Sequence, residues 1–324
     1  MEEKKEKYRV EEDFFPSADQ KHRIAYRICT PECNPFGIVQ LVHGLCADRS
    51  TFAPLEAFLA ENGLVVCSAD LLGHGKSVSS PEDRGFFAEN GGIDFLTKDI
   101  DGLRLLLRNR YRFLPYILLG DGFGSLLVRR WMTGFGEEEK ADACVLCGTA
   151  GSGLISKGDA FLLRLRTLMK KKSGADPGLT ERFLGKLNAA FPKEEGKFAF
   201  LSEQNGVRDA REREAAFLTL GALSDLVSLL GEVNEEEWAS KVPQSLPVFL
   251  ASGQNDPVGG CGKGVSEVAG RLEDAEINDL SVKLYASSRH DLISGADLSL
   301  FFADLLAFAR RIAEGVVECR RNGI

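Results

Sequence analysis

The stretch PYILLGDGFGSLLVRRW, residues 115–131, decides the fold of this chain. An apolar run at 116–119 stops at three glycines spaced two apart, and an apolar segment tipped by arginines resumes at Ser125. The glycines are Gly120, Gly122 and Gly124. Because glycine tolerates backbone angles that other residues avoid, the pattern predicts a strand, a sharp turn and a helix. Two kinds of chemistry use such a turn, and they require different residues at its centre.

The composition is that of an ordinary soluble enzyme. The chain has 324 residues, 44% of them apolar and 27% charged, with a formal net charge of -8. This length can bury a large core, either as one α/β domain or as one domain with an insertion. The negative balance argues against non-specific nucleic-acid binding, so no nucleic-acid partner is expected. No apolar run approaches the ~20 residues of a membrane helix, and the charged start lacks the apolar core of a secretory signal. We therefore expect a cytoplasmic protein.

The eight cysteines are spread along the chain, several of them in apolar strand-like segments. Cys144 and Cys147 form a C-x-x-C pair, but no second pair with zinc spacing accompanies it. We interpret the cysteines as reduced, small apolar core residues, and we expect neither a metal nor a cofactor.

Short apolar runs alternate with segments of helical periodicity along most of the chain. Strands are predicted at 22–29, 37–44, 64–70, 115–121, 143–148, 247–253 and 281–287. Helices are predicted at 52–61, 93–111, 125–132, 262–272 and 296–313. This alternation predicts an α/β protein with a mostly parallel sheet flanked by helices on both faces.

The alternation breaks between about residues 151 and 240. Amphipathic runs such as DAFLLRLRTLMKKK and REAAFLTLGALSDLVSLL occur there, with a Gly/Pro-rich joint, SGADPGLT, between them. We predict a core of residues 1–150 and 241–324 with a helical cap insertion at 151–240. The lysines at 170–172 are interpreted as a solvated helix end, with a transient membrane-surface contact through the cap as the alternative.

Four motifs carry candidate chemistry, and each follows a predicted strand. They are LVHGLCADRSTF (41–52), DLLGHGKS (70–77), the glycine turn, and the pair ASGQNDPVGG (251–260) and LYASSRHDLIS (284–294), which contain Asp256 and His290. In a parallel sheet, residues just past the carboxyl ends of the strands gather at one edge, where ligands bind.

With these motifs in this order, the chain resembles the α/β-hydrolases of the monoacylglycerol lipase and lysophospholipase group, also labelled serine aminopeptidase-like. The resemblance covers about residues 23–314. It implies an α/β-hydrolase fold with a helical cap, a nucleophile elbow of the form small-x-Ser-x-small, and the triad order Ser…Asp…His. Asp256 and His290 occupy the acid and base positions of that pattern, with Asp291 as the one close rival for the acid position. The backbone N–H groups of Leu45 and Phe123 fall where the family forms its oxyanion hole.

The sequence departs from the family at the centre of the elbow, where Gly122 occupies the position of the serine. A change of register does not restore the pattern, because centring it on Ser125 or on Asp121 places the bulky Phe123 where a small residue is required. The cap departs as well, with FLSEQ at 200–204 where relatives tend to show a tryptophan and an Arg-Asp pair.

The resemblance implies a hydrolase acting on a small acyl ester or a lipid-like substrate. In such enzymes the serine attacks the ester carbonyl while the histidine takes its proton. Without a side chain at Gly122 no acyl-enzyme forms, and loss of a triad member leaves only ~10³–10⁴-fold over water in well-studied enzymes. We therefore expect a very weak esterase, either a natural pseudoenzyme or a chain whose serine was removed deliberately. An Asp256–His290 dyad acting as a general base on water, or a small-molecule binding protein, are the alternatives.

Three structural expectations accompany this interpretation. Asp256 and His290 should share a hydrogen bond, with the imidazole facing Gly122. His43 and His74 should act as hydrogen-bonding residues that shape their loops. The apolar side chains expected to wall an acyl pocket above the elbow are Phe161, Leu162, Leu165 and Leu168.

A dinucleotide-binding oxidoreductase is the alternative from another class. The segment LLGDGFGS resembles the G-x-G-x-x-G/A fingerprint, with Ser125 in its third glycine position. That motif requires an acidic residue about 20 positions further on, and the strand predicted at 143–148 ends without one. We therefore rank this alternative below the hydrolase interpretation.

Overall fold

The computed structural model describes residues 7–134, 141–169, 171–196, 198–215 and 217–321. Within these residues eight strands form a single sheet in the order β1-β2-β4-β3-β5-β6-β7-β8. The strands are β1 (Tyr8–Pro16), β2 (Arg23–Pro31), β3 (Gly37–Val42), β4 (Leu64–Ala69), β5 (Tyr116–Asp121), β6 (Ala143–Cys147), β7 (Val248–Gly253) and β8 (Leu280–Tyr285).

Helices cover both faces of this sheet. The α-helices in the described part of the chain are α1 (Ala53–Glu61), α2 (Gly92–Arg110), α3 (Phe123–Gly134), α4 (Lys157–Met169), α5 (Pro177–Leu187), α6 (Asn205–Ala215), α7 (Leu220–Val233), α8 (Lys263–Asp274) and α9 (Leu298–Arg321). No helix among the described residues combines the length and the apolar character needed to cross a membrane.

Parallel pairing joins the strands from β4 to β8, whereas β1 and β2 add an antiparallel ribbon at one edge. Every residue of β3, β5 and β7 is buried, as expected for strands covered on both faces. All seven predicted strands are present, so the predicted α/β-hydrolase sheet is confirmed. The strand β1 was not predicted, because most of its side chains are exposed and charged residues interrupt its alternation.

The core has two apolar layers, one on each face of the sheet. Alternate residues of β3 point to opposite faces. Ile38 and Val42 pack in the layer that contains α2, α3 and α7, and Val39 and Leu41 pack in the layer that contains α1 and α9. The sheet edge that carries the loops after β3, β5, β7 and β8 is therefore held between two packed layers.

The helices α4 to α7 lie between β6 and β7, in the region of the predicted insertion. Of these helices, α7 packs into the main core. Its residues Leu220, Leu229 and Val233 are buried there, and α7 contacts α2 and α3. The polar lysine triplet at the end of α4 is only partly described, since residue 170 lies outside the described ranges.

Two of the three elbow glycines are required by close backbone contacts. A Cβ atom on Gly120 would lie 2.4 Å from the carbonyl oxygen of Gly124, and a Cβ on Gly124 would lie 2.1 Å from the carbonyl oxygen of Val42. Neither position has room for a side chain. The spacing of these glycines therefore reflects the tight strand-to-helix turn and its packing against β3.

We expect Gly124→Ala to destabilise the protein by about 3 kcal/mol or more, because the added methyl group meets backbone atoms that cannot move independently. Gly231→Ala is the matched control, since Gly231 lies in α7 with nothing within 4 Å of an added Cβ. That change should leave the free energy of unfolding equal or raise it by up to ~1 kcal/mol. Urea unfolding measures both, and equal midpoints for the two variants would contradict the packing argument.

Candidate active site

The predicted site residues meet at one edge of the sheet. Gly122 follows β5, Asp256 follows β7 and His290 follows β8, so the carboxyl ends of parallel strands bring them together. The Nδ1 atom of His290 lies 3.0 Å from Oδ2 of Asp256. The predicted hydrogen bond between the acid and base positions is therefore present.

Asp256 is held in a fixed orientation. Its carboxylate is fully buried, and Oδ1 accepts a hydrogen bond of 2.8 Å from the N–H of Val258. The hydroxyl of Ser252 lies 3.3 Å from Oδ2 and donates to it. Because both carboxylate oxygens are engaged, the side chain of Asp256 holds the His290 ring in one orientation.

The same pair sets the charge of the imidazole. Burial lowers the pKa of His290, but the charge of Asp256 and their hydrogen bond, with Asp121 and Asp291 nearby, outweigh burial and raise the pKa to about 9. At neutral pH His290 is thus an imidazolium. Its Nδ1–H donates to Asp256, and Nε2 points at Gly122.

Gly122 has the backbone of a nucleophile elbow without the nucleophile. Its φ angle is +53°, in the left-handed region that side chains rarely adopt. A Cβ on Gly122 would lie 2.8 Å from Nε2 of His290, and its next nearest neighbour, Cε1 of the same ring, is 3.5 Å away. The close contact is with the tip of a side chain, so a small displacement of the imidazole would admit a hydroxymethyl group. A second glycine, Gly148, also approaches the ring, and a Cβ added to it would lie 2.8 Å from Cε1 of His290.

The two residues predicted to supply oxyanion N–H groups line the same cavity as Gly122. The neighbouring amides of the elbow are engaged, since the N–H of Gly122 donates to the carbonyl of Cys147 and that of Ser125 donates to the carbonyl of Gly122. Phe123 is the first residue of α3, where the N–H has no intrahelical acceptor. Leu45 lines the same cavity as Phe123 and Gly122. This placement suits the amides for an anionic or carbonyl oxygen.

The loop that carries Leu45 is shaped by two histidines, as predicted. His43 Nε2 accepts a hydrogen bond of 2.9 Å from the N–H of Leu71, and its Nδ1 lies 2.8 Å from the carbonyl oxygen of Gly44. Burial, followed by the charge of His74, lowers the pKa of His43 to about 3, so the ring is neutral and donates through Nδ1. His74 Nε2 lies 2.5 Å from the carbonyl oxygen of Leu45.

A cavity of about 110 Å³ opens above Gly122. Its apolar wall comes from α5, from the segment at 198–201 and from α7. Representative wall residues are Phe183, Leu184, Leu187, Phe200, Leu223 and Leu226.

Three of the four residues predicted to wall this cavity do not line it. Phe161 and Leu165 are 65% and 40% exposed on α4, and Leu162 is partly buried away from the cavity. Leu168 belongs to α4, but its side chain lies outside the described part of the structure. Helical periodicity identified an apolar stripe on α4 but not the element against which it packs. That element is α7, which α4 meets through the buried Leu163. The apolar wall is therefore corrected to α5, 198–201 and α7.

Two charged residues of the cavity were not predicted, Asp121 and Arg211, whereas Asp291, the rival for the acid position, lines the cavity as well. Burial, followed by the charge of Asp291, raises the pKa of Asp121 to about 7. The one sequence signal was a carboxylate at the end of β5, whose six residues are otherwise uncharged and all buried. Arg211 comes from the strongly polar helix α6, where nothing distinguishes it from its charged neighbours.

Side-chain clusters suited to metal binding are not found among the described residues. Cys144 and Cys147 are buried within β6, and burial raises the pKa of both thiols. Neither thiol lines the cavity.

Asp256→Asn should lower the pKa of His290 from about 9, because the charge that favours the imidazolium is removed. With only four histidines, the ring resonances can be followed individually by NMR titration. Asp19→Asn is the matched control, since Asp19 pairs with His22 and not with His290. A His290 pKa that is unchanged by Asp256→Asn would contradict the assignment.

The raised pKa of His290 also fixes how the stability of the fold depends on pH. The folded pKa of His290 exceeds its unfolded value of about 6.5, so the Asp256–His290 pair stabilises the fold fully below that pH. This stabilisation is lost as the pH rises through about 9. The Tm difference between the native chain and Asp256→Asn should therefore be larger at pH 6 than at pH 10. An equal Tm difference at both pH values would contradict this contribution of the Asp256–His290 pair to stability.

The comparisons with known proteins agree with this fold. Residues 33–297 match the family described as Hydrolase_4, serine aminopeptidase S33. Among curated proteins, none matches the sequence significantly.

Solved structures share the fold. A thermostable carboxyl esterase from Bacillus coagulans is 24% identical, with 94% of this chain and 99% of that chain covered and a TM-score of 0.85. A lipase in its open form is 21% identical with the same coverage and TM-score. A soluble variant of monoglyceride lipase from Saccharomyces cerevisiae is 15% identical, covers 94% and 96% of the two chains and has a TM-score of 0.71. Since the family match spans most of the sequence, this chain belongs to the serine aminopeptidase S33 family of α/β-hydrolases.

Proposed function

We propose that this chain is an esterase- or lipase-type α/β-hydrolase that binds small acyl esters or lipid-like molecules without forming an acyl-enzyme. The observation that carries the proposal is Gly122 at the centre of an otherwise complete elbow, faced by Nε2 of His290. The apolar cavity above it suits an acyl chain, and esterases and lipases with the same fold support the substrate class.

The hydroxyl nearest to Gly122 in sequence does not replace the missing serine. Ser125 lies in the first turn of α3, is fully buried, and donates its hydroxyl hydrogen to the carbonyl oxygen of Gly122 at 2.6 Å. It is part of the elbow's own structure. A bound ester carbonyl would therefore meet hydrogen-bond donors at this site, from Leu45, Phe123 and the imidazolium, but no serine nucleophile.

The general-base alternative is weaker at neutral pH. His290 must be neutral to accept a proton from water, and its pKa of about 9 keeps it protonated below that pH. A dyad-only hydrolysis would be confined to alkaline solution. At neutral pH the same imidazolium instead donates a hydrogen bond to a carbonyl or carboxylate oxygen, which favours binding over turnover.

We also propose that residues 151–240 act as the cap of this site. Support comes from α5 and the 198–201 segment, which supply the apolar wall, and from Arg211 of α6, which reaches the polar end of the cavity. A membrane-surface contact through the lysines at the end of α4 stays a prediction. Lys172 donates to the carbonyl oxygen of Glu89 at 2.6 Å, so one of these lysines is bound to a neighbouring loop. The cytoplasmic location likewise stays a prediction.

Restoring the nucleophile tests the proposal. Gly122→Ser adds a CH₂OH group directed at His290 and the two N–H groups. At pH 9, where about half of His290 is neutral and can accept the serine proton, p-nitrophenyl ester hydrolysis should rise by about 10²–10⁴-fold over the native chain at the same pH. The serine should react with a fluorophosphonate probe. The left-handed backbone should cost about 1–2 kcal/mol of stability, measured by urea unfolding.

Gly122→Ala is the matched control, because it adds the same Cβ and the same backbone strain without the hydroxyl. Its activity should stay at the level of the native chain. Gly122→Ser combined with His290→Ala should also stay inactive, which separates triad chemistry from a general effect of the serine. A folded Gly122→Ser variant that is inactive from acetyl to dodecanoyl esters and unlabelled by the probe would overturn the proposal.

A further inference from the structure

Asp121 is a buried carboxylate that the elbow itself does not use. It is the last residue of β5, its side chain is 5% exposed, and it lines the cavity beside Gly122. Its Oδ1 atom is buried and has no hydrogen-bond partner among the described residues. Buried carboxylate oxygens are normally paired, so an unpartnered one on a cavity wall indicates a group that completes it from outside the chain.

The other carboxylate at this end of the cavity is already satisfied. Asp291 Oδ1 accepts hydrogen bonds from the N–H groups of Ile293 and Ser294, at 2.9 and 3.1 Å. Its Oδ2 accepts from the hydroxyl of Ser294 at 2.8 Å and lies 3.8 Å from Nη2 of Arg211. Arg211 is the cation that faces Asp291.

The ion pairs around the cavity therefore leave one carboxylate without a cationic partner among the described residues. Asp256 is paired with His290, and Asp291 faces Arg211. Arg211 also donates from Nη1 to the carbonyl oxygen of Cys46 at 3.1 Å, which holds its guanidinium in place. Asp121 is the third acid, and no ion pair joins it to either cation among the described residues.

We propose that Asp121 binds the protonated amine of an amphipathic ligand whose apolar part lies along the cavity wall. An ammonium group satisfies the buried oxygen by hydrogen bonding and balances the surplus charge, whereas a neutral hydroxyl does only the first. The apolar wall of α5 and α7 receives the remainder of the ligand. This inference rests on the proposed function, since it assigns a ligand class, amine-bearing acyl or alkyl compounds, to the same cavity.

The pH dependence has a definite sign. Burial and the charge of Asp291 raise the pKa of Asp121 to about 7, while His290 and Arg211 act in the opposite direction and Asp256 adds to the increase. An alkylamine stays protonated up to about pH 10. Amine binding should therefore be strong at pH 8 and weaken as the pH falls, by roughly tenfold per pH unit below the pKa of Asp121.

The test compares octylamine with octan-1-ol, which have the same alkyl chain, by isothermal titration calorimetry of the full-length chain. At pH 8 octylamine should bind at least about 10-fold more tightly than octanol. Asp121→Asn keeps the shape and removes the charge. It should bring the two affinities within about threefold by weakening the amine, with octanol binding changed by less than about threefold. If Asp121→Asn does not fold, the pH dependence of octylamine binding to the native chain tests the same role of Asp121.

The outcomes separate this inference from the proposed function. Equal binding of octylamine and octanol to the native chain overturns the role of Asp121 and leaves the apolar ligand site intact. An amine preference that survives in folded Asp121→Asn, or that does not weaken between pH 8 and pH 5.5, also overturns it. Failure of both compounds to bind removes the cavity as an apolar ligand site, and the proposed function fails together with the inference.

Discussion

The close approach of the elbow to the loop after β3 is the constraint on which the site depends. Gly124 lies against the carbonyl oxygens of Val42 and His43, at distances that leave no room for a side chain. This contact fixes the turn after β5 against the end of β3. The amides of Leu45 and Phe123 consequently border one cavity, although they are far apart in the chain. Preorganised donors of this kind keep their positions whatever occupies the site.

The acid–base pair is built independently of the nucleophile. Asp256 takes its orientation from Ser252 and Val258, and His290 takes its orientation and charge from Asp256. None of these contacts involves residue 122. The loss of a side chain at the elbow therefore removes one reactive atom and leaves the surrounding electrostatics in place. A family member without a serine at the elbow can still have an intact polar site, and here the acid–base half of that site is structurally complete.

The sequence predicted the parts of this molecule that local patterns encode. Apolar runs followed by turn residues located seven strands, and the resemblance to the family's elbow and triad order located Gly122, Asp256 and His290. The edge strand β1 was missed because its pairing partner, not its own pattern, makes it a strand. The cavity wall was assigned to α4 because amphipathic helices reveal an apolar face but not its neighbour. The burial of Asp121 beside Asp291 depends on contacts between residues 170 positions apart, which a single sequence does not report.

The imidazole of His290 is in close contact with two glycines that have positive φ angles, Gly122 and Gly148. Gly122 has the left-handed backbone of an elbow centre, and the contact that a side chain would make there is with a movable ring tip. Glycine and serine differ at this position by one hydroxymethyl group, and the nearest obstacle to that group is the ring of His290. Passage in either direction therefore requires no rebuilding of the fold. Such a position allows a lineage to lose and regain covalent chemistry while it keeps one ligand-binding scaffold.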